Sequence, residues 1–304
     1  MFVQLLVSGI AMGFVYALVA IEYTLIWNSC SLLNFSHGQL IMLGAYIFGG
    51  TFVTGLGFSY AMGWIGTIAL VAILGTILAF VIFIPLKDFG SLYAIVATML
   101  FGIVISNLVP LIYGIYPIHL NNYLSGIYKI GNMVITRAYF YIIIVAVLAV
   151  TALLCFMKYT KIGKAMRCVQ ENKAMSAMVG INVRANMVIT ISLSCVICAL
   201  VGMLVVPLFS ITVTMADTIS MKGFISGVLG GFGSVPGAIL GGILVGVIEN
   251  ISTIYIPSVY KDITSFLILI VVLLIKPSGL LGTGKTKMTA KKPAAYTRKG
   301  GTKR

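Results

Sequence analysis

The sequence predicts an all-α polytopic membrane protein, with about eight transmembrane helices and one or two broken or re-entrant segments. Of the 304 residues, 60% are apolar and only 9% are charged, whereas soluble domains carry about 25% charged residues. Mean hydropathy is +1.13. The basic residues are concentrated in a few segments between apolar runs, as is typical of membrane insertion. Residues 1–282 are therefore predicted to form a transmembrane domain, and 283–304 a basic, disordered cytoplasmic tail.

Eight apolar runs approach or exceed the roughly 20 residues that a membrane-spanning helix needs. They occupy 5–27, 37–54, 61–85, 91–113, 138–157, 187–211, 223–256 and 262–276. The first run has no basic leader and no A-x-A cleavage site, so it is predicted to be a retained helix and not a signal peptide.

Lysine and arginine predict which loops face the cytoplasm. Sixteen basic residues lie at Lys87, within 158–184, at Lys276 and in the tail, and these segments are placed inside. The other four are placed in outer loops: Lys129, Arg137, Lys222 and Lys261. An even number of crossings must then separate 158–184 from the tail. The long run 223–256 must therefore contribute two passes, or one pass and a re-entrant half.

Two segments are predicted to interrupt the helices. At 28–40, polar side chains stand beside apolar runs: Asn34, Ser36, His37 and Gln39. Within 223–256, glycines recur four residues apart, which allows close helix packing in lipid. Pro236 stands there among Gly230, Gly231, Gly233 and Gly237, so a continuous helix is not expected. This second interruption is either unwound backbone lining a substrate site or a tight cytoplasmic turn.

Two carboxylates, Glu22 and Glu249, interrupt apolar runs. A charged side chain at the centre of the bilayer costs roughly 2.5–3.5 kcal/mol on insertion scales, so such residues usually face a cavity or a partner. Each is interpreted either as a partner for a substrate ammonium group or as a hydrogen-bonding group between helices, including a protonated acid bonded to a neighbouring helix.

The remaining motifs predict no chemistry in this chain. GLLGTGKT at 279–286 matches the Walker A pattern, but it follows an apolar run and not a strand, and it precedes the basic tail. Cys195 and Cys198 have redox-pair spacing but lie in an apolar run, where a thiolate is poorly solvated. We therefore expect no enzyme, no metal and no cofactor in this chain. The charge distribution favours anionic lipid over nucleic acid as the partner of the tail.

The segment 158–186 carries six basic residues and one acid, Glu171, between two apolar runs. It is helix-prone and polar, and it is predicted to present a cytoplasmic surface that another protein can bind.

Three regions, in order, resemble the branched-chain amino acid permease family of ABC importers, LivH type. The first is the N-terminal helix followed by Asn-Phe-Ser-His-Gly at 34–38. The second is GKAMRCVQENKAMSAMVGINV at 163–183. The third is the glycine-rich block at 221–250, with KPSGLLG at 276–282.

The resemblance implies a transport subunit of the bacterial cytoplasmic membrane, with branched-chain or other hydrophobic amino acids as substrates, and urea or short amides as the alternative. A solute-binding protein would deliver the substrate, a second LivM-like permease would complete the pathway, and two ABC ATPases would bind ATP and Mg. The coupling helix would lie in 158–186, with Gly163, Lys164, Arg167, Glu171, Ala174, Gly180 and Ile181 at the family spacings. The substrate pathway is expected at Glu22, Asn34, His37, Gly230, Gly231, Gly233, Gly237 and Glu249. A self-contained secondary transporter or channel is the rival class, and Glu22 and Glu249 would then be its ion or proton ligands.

Overall fold

The computed structural model describes residues 2–86, 89, 91–120, 123–130, 133–257 and 260–282. Most of this part of the chain is helical and only two short strands are present in it, which confirms the predicted fold class. Lys87, the tail at 283–304 and the second half of the Walker-like motif lie outside the described residues.

The described elements follow one another in chain order. They are α1 Phe2–Cys30, α2 His37–Tyr46, α3 Tyr60–Leu78, α4 Ile84–Leu86, α5 Ser91–Tyr113, β1 Ile127–Ile130, β2 Met133–Thr136, α6 Arg137–Tyr159, α7 Lys161–Glu171, α8 Lys173–Met178, α9 Val183–Val205, α10 Met215–Gly230, α11 Val235–Ser252 and α12 Lys261–Ile275. Two π-helical segments, Ile47–Gly55 and Ala79–Phe83, extend α2 and join α3 to α4. The two strands pair antiparallel, with Ile127 opposite Thr136.

Seven helical stretches among the described residues are long and apolar enough to cross a membrane: 2–30, 37–55, 60–86, 91–113, 137–159, 183–205 and 235–252. Two further helices, α10 and α12, have 16 and 15 residues and are shorter than these seven stretches. The long apolar run 223–256 contains the second half of α10 and all of α11. It therefore contributes parts of two helices separated by a break, as the charge pattern predicted.

Helix α1 is the centre of the bundle and packs against α6, α9, α10 and α11. From Ala11 to Ile26 nearly every side chain is buried, because neighbours cover this helix on all sides. The closest neighbour is α11, where a side chain at Gly242 or Gly246 would collide with the backbone of α1. Small residues that bring two backbones together are typical of helix packing in lipid.

The loops gather at two opposite ends of the bundle. At one end, which we call the α7 end, Asn28 and Gln170 both reach the turn between α10 and α11. At the other end, Ile118 and Ile211 exchange backbone hydrogen bonds of 3.1 Å. Four helices, α9 to α12, separate α8 from residues 276–282, which also lie at the α7 end. This even number of passes agrees with the prediction that 158–184 and the end of the chain's last apolar run lie on the same side.

Candidate functional site

The polar break between α1 and α2 folds into the bundle instead of lying on its surface. Asn34, Ser36 and His37 are all buried. The Asn34 Oδ1 accepts hydrogen bonds from the Ser36 amide at 3.0 Å and the Ser36 hydroxyl at 2.7 Å. The Phe35 amide donates to Thr98 Oγ1 at 3.1 Å. Side chains therefore satisfy the amides of Phe35 and Ser36, which a non-helical segment inside a membrane bundle requires.

His37 begins α2 and connects three elements. Its Nδ1 lies 3.0 Å from the carbonyl oxygen of Asn34, which can only accept, so Nδ1 carries a proton. In the neutral ring Nε2 is then an acceptor, and it lies 2.5 Å from the Tyr23 hydroxyl and 2.6 Å from the Ser220 hydroxyl. One imidazole thus links α1, the break and α10.

Glu22 lies next to Tyr23 on α1 and is fully buried. Its Oε1 accepts a hydrogen bond from Ser194 of α9 at 2.5 Å. Its carboxylate also faces the Asn34 side-chain amide, although neither Oε2 nor the Asn34 Nδ2 has the geometry of a hydrogen bond to a described residue. No described lysine, arginine or histidine forms an ion pair with Glu22. Glu22, Tyr23, Asn34, Ser36, His37, Ser194 and Ser220 form the polar cluster of this protein.

Glu249, the second predicted carboxylate, lies elsewhere and is already neutralised. Its Oε1 pairs with Lys222 at 2.8 Å and with Lys261 at 3.1 Å, and Lys222 also pairs with Asp262 at 2.8 Å. Ser265 donates to Oε2 at 3.3 Å. The placement of Lys222 in an outer loop is therefore wrong, since it lies within α10 and is 6% exposed. A buried lysine is accommodated there because two carboxylates surround it.

The predicted glycines lie at the α7 end. Gly230 ends α10, Gly237 lies in the first turn of α11, and a side chain on either would collide with the other's carbonyl. Gly231 and Gly233 have φ angles of +99° and +94°, which favour glycine. The segment is thus a tight turn between two helices, the second of the two predicted alternatives.

The KPSGLLG segment closes the end of α10. The last carbonyls of a helix lack partners within the helix. Here the Gly231 amide bonds to the carbonyls of Gly227 and Val228, and the amides of Leu280 and Leu281 bond to those of Leu229 and Gly230 at 2.8 and 3.0 Å. The KPSGLLG motif, which the sequence marked only as a family signature, therefore caps a helix that ends about 50 residues earlier in the chain.

The predicted coupling residues lie on α7, α8 and the turn that follows. Gly163 is buried against the end of α6, which approaches so closely that a side chain there would collide with it. Lys164, Arg167, Glu171 and Ala174 are exposed. The side chains of Thr160 and Asn172 cap α7 and α8 respectively. Gly180 has a φ of +89° and Ile181 is half-buried. The segment is a rigid, capped pair of short helices beneath the bundle.

Sequence reasoning missed Tyr23, Ser194, Ser220 and the pairing role of Lys222. Tyr23 and Ser194 are polar residues within helices that are otherwise apolar at that point, which is the signal that could have identified them. Ser220 and Lys222 lie in the more polar first half of α10, where no single residue stands out. Their partners could not be identified in the same way, because Ser194 lies 172 residues from Glu22 along the chain.

A bundle with seven helices of membrane-spanning length, a buried polar cluster at a helix break and a capped basic segment at one end defines a polytopic membrane protein of the transport class. Residues 5–273 match the family described as "branched-chain amino acid transport system / permease component". The chain belongs to this family, which confirms the resemblance drawn from the three motifs.

Individual relatives agree. The chain is similar to the high-affinity branched-chain amino acid transport system permease protein LivH of Salmonella typhimurium, with 33% identity over 92% of this chain and 96% of the relative. It is 32% identical to LivH of Escherichia coli K12 and 29% identical to the permease protein BraD of Pseudomonas aeruginosa, with the same coverage. No solved structure is significantly similar to the chain.

Proposed function

We propose that this chain is the membrane-spanning subunit of an ATP-driven importer that carries branched-chain amino acids across the bacterial cytoplasmic membrane. The observation that carries the proposal is the family match, which extends over residues 5–273. The named relatives are branched-chain amino acid permease proteins, and the chain matches them over nearly their whole length. In this proposal a solute-binding protein supplies the substrate, a second permease completes the pathway, and two ATPase subunits bind ATP and Mg.

The proposed ATPase-binding surface is formed by α7, α8 and the turn at Gly180. Three apolar side chains project from it: Met175, Met178 and Val179 are 64%, 85% and 81% exposed. Exposed methionines among basic residues suit a partner with an apolar groove and an acidic rim, because methionine adapts to irregular contacts. The mixed apolar and basic character of this surface supports a docking role over a loop that only orients the chain.

The polar cluster is the proposed substrate site. It places a carboxylate, an amide and an imidazole inside an apolar bundle, and groups of this kind within membrane helices usually mark transport pathways. The Glu22 carboxylate and the Asn34 side-chain amide face each other, and as an acceptor and a donor they match the ammonium and carboxylate groups of a zwitterionic amino acid. The Gly230–Gly237 turn and Glu249 stay predicted members of the pathway, at other positions along the bundle.

Reconstitution in proteoliposomes tests this proposal. The chain, purified with its second permease and ATPases, is expected to take up labelled leucine when ATP is enclosed and binding protein is added outside. Excess isoleucine should compete, and excess urea should not. Uptake by this chain alone, without ATPases, would instead support a secondary transporter. Competition by urea or a short amide would change the substrate class.

A further inference from the structure

Three separate parts of the chain meet at the α10–α11 turn. Asn28, near the end of α1, donates from Nδ2 to the carbonyl oxygen of Gly233 at 3.0 Å. Gln170, near the end of α7, donates from Nε2 to the same oxygen at 3.4 Å. The 276–282 segment is bonded to the end of α10, next to the turn. The turn is therefore bonded directly to the segment proposed to bind the ATPase.

Helix α7 can act as a rigid lever on this turn. Its buried side consists of Gly163, Met166 and Val169, and Thr160 caps its first turn with a bond of 2.9 Å to the Gly163 amide. Because the helix is capped and packed along one side, a displacement at one point moves it as a body.

The space beside the contact permits such movement. A cavity of about 640 Å³ separates α6 and α7 from the start of α11, and Lys158, Arg167, Gln170, Gly233 and Pro236 are among the residues that line it. Across this space, the Gln170 side-chain amide donates the hydrogen bond that joins α7 to the α10–α11 turn.

Helix α10 connects the α10–α11 turn to the polar cluster. The backbones of Gly230 and Gly237 approach too closely for any side chain, so the ends of α10 and α11 move together. Along α10, Ser220 lies ten residues before Gly230, or about 15 Å at 1.5 Å per residue. Ser220 bonds to His37. A shift of the turn along α10 therefore changes the distance between Ser220 and His37.

We propose that Gln170 and Asn28 are positioning residues for transport, which tie α7 and α1 to the α10–α11 turn through the carbonyl oxygen of Gly233. We call this arrangement the Gly233 relay. It conveys movement of α7 to the polar cluster through α10, in addition to the direct contacts of α7 with α6 and α9. The relay rests on the proposed function, since it presupposes an ATPase that moves α7.

The test uses the full transport complex in proteoliposomes and measures the amount of leucine imported per ATP hydrolysed. Both quantities scale with the amount of assembled complex, so a loss of folded protein leaves their ratio unchanged. Gln170→Ala is expected to lower the ratio about fivefold, the effect of losing one net hydrogen bond from the coupling. Gln170→Glu, which keeps the side-chain length but loses the donor, should lower it similarly.

Two further variants complete the experiment. Gln4→Ala removes the same type of side chain from an exposed position at the start of α1 and should leave the ratio unchanged. Adding Asn28→Ala to Gln170→Ala should cause little further loss, because α7 is already detached from the shared oxygen. An unchanged ratio in Gln170→Ala, alongside a functioning wild-type complex, would overturn the relay and leave the proposed function standing. A wild-type complex without ATP-dependent uptake would overturn the proposed function, and the relay with it.

Discussion

Lys222 donates a hydrogen bond to Glu249 across the α10–α11 interface, with 2.8 Å between Nζ and Oε1. Both side chains are almost fully removed from solvent. Around them Lys261 and Asp262 complete a set of two lysines and two carboxylates, whose formal charges cancel. Helices α10, α11 and α12 are therefore joined by one neutral network, and Tyr16 brings α1 into it with a 3.4 Å bond to Glu249.

Replacing Lys222 with methionine is expected to destabilise the folded protein by about 3 kcal/mol, because Glu249 stays buried with Lys261 as its one described cation. Thermal unfolding in detergent measures the change. Lys161→Met, at an exposed position on α7, should stay within about 0.5 kcal/mol of wild type. Equal unfolding midpoints for Lys222→Met and wild type would show that the pair adds nothing to stability.

The two buried carboxylates should respond differently to neutralisation. Glu22→Gln keeps an acceptor for the Ser194 hydroxyl and breaks no described ion pair, so its free energy of unfolding should change by less than about 1 kcal/mol. Glu249→Gln leaves Lys222 and Lys261 close together, and a loss of about 3 kcal/mol is expected. The same unfolding measurement compares them. A larger loss for Glu22→Gln would mean that Glu22 has a cationic partner in the folded protein.

His37 is expected to set the geometry of the polar cluster. His37→Leu removes the nitrogen that the Tyr23 and Ser220 hydroxyls share and should reduce leucine uptake by the reconstituted complex about tenfold. His37→Gln carries an acceptor oxygen that can take the place of Nε2, so it should retain more uptake than His37→Leu. If the two variants transport equally well, the hydrogen bonds of Nε2 do not matter for transport.

Gly246 should tolerate no larger residue. Gly246→Val would force α11 away from Gly13 of α1 and is expected to cost about 1–3 kcal/mol. Ala152→Val, at an exposed position on α6, serves as a control of the same chemical type. Unfolding of both variants in detergent would test the close packing. A normal midpoint for Gly246→Val would show that the two helices can separate without loss.

Gly180 is expected to hold α8 in the orientation that an ATPase requires. A β-branched residue at a φ of +89° is strained by about 1–2 kcal/mol, so Gly180→Val should displace the tip that carries Met178. Substrate-stimulated ATP hydrolysis by the complex should fall, while membrane insertion stays normal. Arg167→Ala, at an exposed site on α7, is expected to impair stimulation in the same way. Full stimulation in both variants would contradict a docking role for this segment.

Much of the fold could be predicted from local patterns. Apolar length and composition indicated the helices, and the polar residues at 28–40 indicated a break, because both signals are contained within one stretch of chain. Glycine spacing likewise indicated close packing, and Gly241, one of the glycines spaced four apart, does lie against the backbone of α10. The spacing did not single out Gly242 and Gly246, which lie against the backbone of α1.

Partners distant in sequence could not be predicted in this way. Lys222 was assigned to a loop because it lies between two apolar runs, and the counter-ions that accommodate it within a helix lie 27 and 40 residues further along the chain. The candidate site shows the same limit. Asn34 and His37 were singled out as neighbours at a break, but Ser194 and Ser220 join them only through tertiary packing.

The capping of α10 by Leu280 and Leu281 limits how far the chain can be shortened from its C-terminal side. An affinity handle or fluorescent protein placed after Gly282 spares both amides. A stop codon at 276 would remove the hydrogen-bond donors of the Leu229 and Gly230 carbonyls. A side chain at Gly230 could not replace them, because the backbone of Gly237 leaves no room for one. A version of the chain prepared for purification should therefore keep at least the residues through Gly282, which extend seven residues beyond the end of α12.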